Sequence, residues 1–211
     1  MIQLIGSQSQ IDHFKALFPQ LKTRTAEITE LTEAELTLDL SPDSHLHIEH
    51  YQKAGGVVLC NSVNFLLESV RTEKTYPQLF GFNGMTGLIS AEGLEVCVPA
   101  TSNANDLAVL QSFGIPYHLV DSRVGLVTPR IVLMIINEAY FTVQEGTAEK
   151  DAIDMAMKLG TAYPKGPFEW SELIGLPQVV ETLEAIFRDT GDDRYKICPL
   201  LKKEAALASP N

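Results

Sequence analysis

Tyr163-Pro164-Lys165-Gly166-Pro167-Phe168-Glu169-Trp170-Ser171-Glu172-Leu173-Ile174-Gly175-Leu176 is the most specific stretch of this 211-residue chain. In physical terms it is a helix start, a short apolar helix and a stop. Pro167 has its φ already set for a first helical turn, where no amide donor is needed, and Gly175 can take the left-handed conformation that ends a helix. The same punctuation continues in both directions. Pro177 opens a helix that reaches Thr190 before Gly191, and Pro199 starts the last one. Upstream, Pro129 heads a long helix to Glu145 with Gly146 as its stop. Thr147 is expected to cap the next helix, in which Ile153, Ala156 and Met157 form the buried stripe and Gly160 ends it. From about Asp121 onward apolar residues recur at helical spacing, so residues 123–211 read as an all-helical domain.

Before Asp121 short apolar runs alternate with helix-like segments, the pattern of an α/β layer. Met1 to Ile5 reads as a strand and Gln8 to Phe18 as a helix stopped by Pro19. A weaker strand is expected at Ala26 to Leu31 and a firmer one at Leu36 to Leu40. Pro42 to Ala54 reads as a helix released by Gly55-Gly56 into the run Val57-Val58-Leu59, and Asn64 to Val70 as a short helix. Leu94 to Val98 and Tyr117 to Val120 are strands that flank a helix at Asp106 to Phe113. Residues 1–122 therefore form an α/β domain. No repeat or low-complexity linker separates the halves, and the boundary rests on the change of period.

Composition agrees with a globular protein: 45% hydrophobic and 20% charged residues, enough to bury two cores without disulfide or metal support. The longest aliphatic run, Ile131 to Ile136, is far shorter than the ~20 apolar residues a spanning helix needs, and the N-terminus lacks a basic stretch followed by an apolar one. The expectation is a cytoplasmic protein that does not enter a membrane. Cys60, Cys97 and Cys198 are odd in number and have no C-x-x-C spacing, which suggests buried thiols. A net charge of -11 disfavours nucleic acid as a partner. Residues 1–122 carry 6 basic against 14 acidic groups, and residues 123–211 carry 10 against 13, so an anionic ligand sits more easily on the second half.

Few residues suggest chemistry. His45, His47 and His50 lie beside Glu49, yet on a helix only His47 and His50 share a face. That is short of a metal's ligand set, and surface histidines on an acidic helix are expected. Gly6 follows the first strand as a dinucleotide fingerprint requires, but Gln8 and Ile11 occupy its second and third glycine positions. Gly6 is thus at most a cofactor-binding remnant. Nucleophile-elbow, zincin and phosphate-loop motifs are missing.

Asn137-Glu138-Ala139, Asp154-Met155-Ala156-Met157-Lys158-Leu159-Gly160 and the 163–176 stretch, taken in order, resemble the C-terminal domain of the 3-hydroxyacyl-CoA dehydrogenase family, with Glu172 where the family has Asp. The resemblance runs from about Gly125 to Leu201. Glu35 to Leu40 and Val57 to Asn61 resemble two strands of the family's nucleotide-binding domain. The fold this implies is a shortened Rossmann-like parallel sheet followed by an all-helical C-terminal-type domain.

The family's functional positions can be carried over one at a time. Its catalytic serine falls on Val63, its general-base histidine on Phe80 and its asparagine on Pro129. The glutamate that orients the histidine falls on Glu95, with Glu92 as an alternative. The resemblance also implies acyl-CoA as a ligand, facing Asn61, Asn83, Arg130 and Lys165, and a homodimer through the helical domain. NAD is the family's cofactor, but with two fingerprint glycines replaced no cofactor is expected here. A phenyl ring cannot take a proton at any pH, so the leading expectation is a degenerate member without hydride transfer. The alternatives are an active NAD-dependent 3-hydroxyacyl-CoA (3-hydroxybutyryl-CoA) dehydrogenase and a structural homodimer without ligand.

Overall fold

A computed structural model describes residues 1–70, 78–100 and 102–208. The chain divides into two compact units, Met1–Val127 and Thr128–Asn211.

The first unit is built on a seven-stranded sheet: β1 (Ile2–Ile5), β2 (Thr23–Thr25), β3 (Ala34–Asp39), β4 (Gly55–Asn61), β5 (Leu79–Phe82), β6 (Leu94–Cys97) and β7 (Tyr117–Val120). Their order is β2-β1-β3-β4-β5-β6-β7, parallel except for the β5·β6 pair. Helices α1 (Gln8–Leu17), α2 (Leu67–Val70) and α3 (Ala108–Ser112) lie in the connections. Leu36 to Asp39 and Val57 to Asn61 are buried without alternation, as strands covered on both faces must be. One face packs Leu4, Leu38, Leu59, Phe80 and Phe82 with Ile11 and Phe14 of α1 and Leu110 of α3. The other packs Ile5, Val58, Cys60 and Leu79 with Ile48, Tyr51 and Leu67. All three cysteines are free and buried.

Three local expectations for this unit change. The strand expected at Ala26 to Leu31 is β2, three residues earlier, where the Arg24 guanidinium bonds the Gln3 side chain and the Thr32 and Glu33 carbonyls. The apolar side chains that suggested the later strand, Ala26, Ile28 and Leu31, pack onto the second face from a loop and a 3-10 turn instead. The helix expected at Pro42 to Ala54 is a 3-10 segment, Ser44–Lys53. Strand β5 was not anticipated because Gly81 interrupts its β-forming residues. The glycine is obligatory there: a Cβ would stand 2.2 Å from Ser62 Oγ and 2.5 Å from Cys97 Sγ.

The second unit is helical: α4 (Thr128–Gln144), α5 (Lys150–Thr161), α6 (Pro167–Ile174), α7 (Leu176–Thr190) and α8 (Pro199–Ala208). Val132, Leu133, Ile136 and Tyr140 of α4 are buried with Val179, Leu183 and Ile186 of α7 and Leu201 of α8. Thr147 does not cap α5. Its amide donates to the Thr142 carbonyl, and Gly146, with φ 73°, donates to Val143, so both residues close α4. Glu149 is the N-cap of α5 instead. The stripe expected on α5 also differs: Ile153 and Met157 are half-buried, Ala156 is exposed, and the buried side chain is Asp154. Gly160 lies inside α5, which ends at Thr161 with Ala162 in the left-handed region.

Candidate functional site

An open parallel sheet presents its ligand crevice outside the carboxyl ends of its strands, where the order reverses. Here that is the end of β1 beside β3. Gly6, with φ 144°, turns the chain from β1 into α1. Ser7 is the N-cap, and its side chain accepts from the Gln10 amide. Gln10 completes the capping box: its Oε1 accepts from the Ser7 amide at 2.8 Å, and its Nε2 donates to the Leu40 carbonyl at 2.9 Å. A dinucleotide's pyrophosphate would need a helix-terminal amide and a close backbone approach at this place. The Gln10 amide group already bridges the start of α1 and the end of β3, and Ile11 is buried in the core. On the other side of β1 only the three-residue β2 follows among the described residues, where the doubly wound nucleotide sheet carries two strands. These residues do not fit a dinucleotide.

Asn61, at the end of β4, is 4% exposed, and both ends of its amide are bonded: Nδ2 donates to the Leu40 carbonyl at 3.2 Å and Oδ1 accepts from the Gly84 amide at 3.1 Å. Gly84 must be a glycine for this approach, since a Cβ would meet the Asn61 side chain at 2.9 Å. Asn83 is 2% exposed; it accepts from the Met85 amide at 3.1 Å and donates to the Leu88 carbonyl at 3.3 Å. Both asparagines thus shape the loop that follows β5.

Phe80, where the resemblance places the general base, lies wholly buried in the first apolar layer. Val63, where it places the serine, is 1% exposed, and its carbonyl accepts from the Gly125 amide at 2.7 Å. Pro129, where it places the asparagine, is buried in the first turn of α4. Glu95 is half-buried on β6, and its Oε2 accepts from the Val127 amide at 3.2 Å. In the β6·β7 ladder it stands opposite His118, an exposed side chain. Glu92 is exposed, before β6.

Asp39 carries no signal of its own in the order of residues. Its carboxylate is fully buried at the end of β3, where it accepts from the Ser41 amide at 2.9 Å, His47 Nδ1 at 2.6 Å and Tyr51 Oη at 2.7 Å. His47 is therefore no free surface histidine. A carboxylate only accepts, so the Nδ1 proton points at Asp39. That hydrogen bond raises the His47 pKa above its usual 6.5 against the opposing effect of burial. Burial, and then the Asp39 charge, push the Tyr51 phenol well up. Asp39 thus ties two side chains of the 44–53 segment to the end of β3. No group of three or more His, Cys, Asp or Glu placed to hold a metal occurs among the described residues.

In the helical unit Arg130 donates to Tyr195 Oη at 3.0 Å, with its guanidinium 5.5 Å from that ring's centroid. Lys165 is half-buried before α6 and helps to lower the Glu169 carboxyl, whose largest influence is its bond from Lys158. The motif that decided the fold is organised around Asp154. From inside α5 this carboxylate accepts from the Phe168 amide at 2.8 Å and the Glu169 amide at 3.1 Å, capping α6 across the helix pair. Gly166, the N-cap residue of α6, cannot carry a side chain: a Cβ would stand 2.2 Å from Asp154 Cγ.

Residues 125–208 match the family described as 3-hydroxyacyl-CoA dehydrogenase, C-terminal domain. Among curated proteins, a probable 3-hydroxybutyryl-CoA dehydrogenase of Bacillus subtilis is 38% identical over 97 residues, which make up 46% of this chain and 34% of that protein. The 3-hydroxyadipyl-CoA dehydrogenase of Escherichia coli K12 is 28% identical over 182 residues, 84% of this chain and 38% of that enzyme. The matched stretches thus span little more than a third of either relative. Among solved structures, the (S)-3-hydroxybutyryl-CoA dehydrogenase PaaH1 of Ralstonia eutropha superposes with a TM-score of 0.72 over 98% of this chain and 93% of that one; at 17% identity the likeness is one of fold. The helical unit is thus of the type that forms the C-terminal domain of the 3-hydroxyacyl-CoA dehydrogenase family, and the mostly parallel sheet before it shares the fold of solved 3-hydroxyacyl-CoA dehydrogenases.

Proposed function

We propose that this chain serves acyl-CoA metabolism in the cytoplasm as a family member that transfers no hydride. It acts as a dimeric module, pairing through its helical unit, and takes acyl-CoA, not NAD, as its small-molecule ligand. The observation that carries this reading is Phe80. Oxidation of a 3-hydroxyacyl group requires a base to remove the hydroxyl proton as hydride leaves, and the position the family gives to that base is a phenyl ring sealed in the core. The Gln10 bridge at the start of α1 supports the same reading. No described helix is long and apolar enough to cross a membrane, and the net charge of -11 argues against nucleic acid. Arg130 and Lys165 are the cations the motif region offers to the anionic end of a thioester.

Calorimetry with NADH and a short series of acyl-CoA thioesters tests it. The expected result is no heat with millimolar NADH, and saturable acyl-CoA binding that weakens with salt and in Arg130→Ala or Lys165→Ala. Micromolar NADH binding would restore the active dehydrogenase. Silence towards every thioester would leave a module that binds no ligand.

A further inference from the structure

Asn137 of the 137–139 motif is 2% exposed, and its amide group holds the segment that joins the 3-10 turn Asp193–Tyr195 to α8. Its Nδ2 donates to the Lys196 carbonyl at 2.9 Å, and its Oδ1 accepts from the Cys198 amide at 2.9 Å. Tyr195, just before, is buried, with its Oη bonded by Arg130 and the Arg194 guanidinium 5.5 Å from its ring centroid. Residues 195–198 are therefore a fixed wall. Between this wall, the last turns of α7 and the start of α8 lies a cavity of about 540 Å³, wholly within the helical unit. That is the size of a small-molecule site, and a wall held in place before binding spares a ligand the cost of ordering it.

The lining is divided by chemistry. Phe187 and Ile197, both half-buried, give it apolar sides, while Arg188, Lys196 and Lys202 are exposed cations at its rim beside one carboxylate, Glu184. In a chain of net charge -11 this is a local reversal of sign. The ion pairs already present are weak competitors. Lys202 meets Glu184 at 3.2 Å and Lys196 meets Asp193 at 3.0 Å, but all four side chains are about half exposed or more, where such pairs contribute little. Arg188, one turn beyond Glu184, makes no ion pair among the described residues. A guanidinium fork with two ammonium groups matches the oxygens of a terminal phosphate, which carries nearly two charges. The apolar sides suit a flat ring. Glu184 can only accept, so it suits an amino group on that ring and rejects a carboxyl group.

We propose that this cavity binds an adenine nucleotide that ends in a phosphate, with the ring between Phe187 and Ile197, its amino group at Glu184 and its phosphates on Arg188, Lys196 and Lys202. This goes beyond the reading of an acyl-CoA module, and its test contains no thioester, so either can fail without the other. Calorimetry of the purified chain at low ionic strength compares ADP, adenosine and tripolyphosphate. The expected result is one ADP per chain, with adenosine and tripolyphosphate each at least tenfold weaker, because ring and charge are both held. Arg188→Gln with Lys196→Gln should weaken ADP at least tenfold and flatten the dependence of its affinity on salt. Both side chains are exposed, and circular dichroism checks that the variant remains folded. Lys203→Gln, an exposed cation of α8 outside the cavity, should leave ADP binding unchanged. Absence of ADP binding would overturn the proposal, as would binding indifferent to Arg188 and Lys196. Tripolyphosphate or adenosine binding as tightly as ADP would overturn it too, by removing the need for the ring or for the charge.

Discussion

At the scale of single residues, one side chain ties the start of α1 to the end of β3. Gln10 satisfies one orphan amide at the start of α1 and one carbonyl at the end of β3. Gln10→Ala removes both and should cost about 1 kcal/mol, the usual worth of a capping interaction, read as a lower urea midpoint with an unchanged slope. His47 makes a second test. Below pH 6.5 its imidazole is charged in both the folded and unfolded chain, so its bond to Asp39 contributes in full. As pH rises through the raised folded value the charge is lost, and the contribution goes with it. Thermal unfolding of the native chain and of His47→Ala should therefore differ most near pH 6 and converge towards pH 9. A gap that widens with pH would mean that the pair is not ionic.

At the scale of elements, the motif that identifies the family is folding machinery. Asp154 supplies α6 with the cap that Gly166, having no side chain, cannot supply. The glycine is needed because the carboxylate fills the space of its Cβ. Asp154→Ala leaves two amides without their charged acceptor and should lower stability by about 2 kcal/mol. Gly166→Ala should destabilise as well, through the clash. The double variant should lose less than the sum of the two, because removing the carboxylate vacates the space. Strict additivity in chemical denaturation would show that the residues do not interact. Retention of this motif is thus evidence for the helical fold and not for chemistry.

For the whole molecule, much was legible from the order of the residues because helix ends and buried strands carry local signals. Pro167, Gly175, Gly191 and Gly146 start or stop helices by their own backbone preferences, and the observed helices end where they stand. The run Val57-Val58-Leu59 and the alternating Leu36-Thr37-Leu38-Asp39-Leu40 both read as strands, and the change of period after Asp121 announced a second, helical part. The resemblance motifs led to the family because they encode the α5–α6 cap, a contact short enough in sequence to leave a fixed spacing. Tertiary structure alone decided the rest. Gly81 gave no strand signal because its reason is space beside Ser62 and Cys97, and Asp39 looked like one acid among many because its donors come from another segment. Ala26 to Leu31 packs as a loop and not as a strand because the polar Thr23–Thr25 occupies the edge of β1. Of the stripe expected on α5, Ile153 and Met157 are half-buried and Ala156 is exposed, because amphipathic spacing shows that a helix has an apolar face, while only packing settles which side chains turn inward.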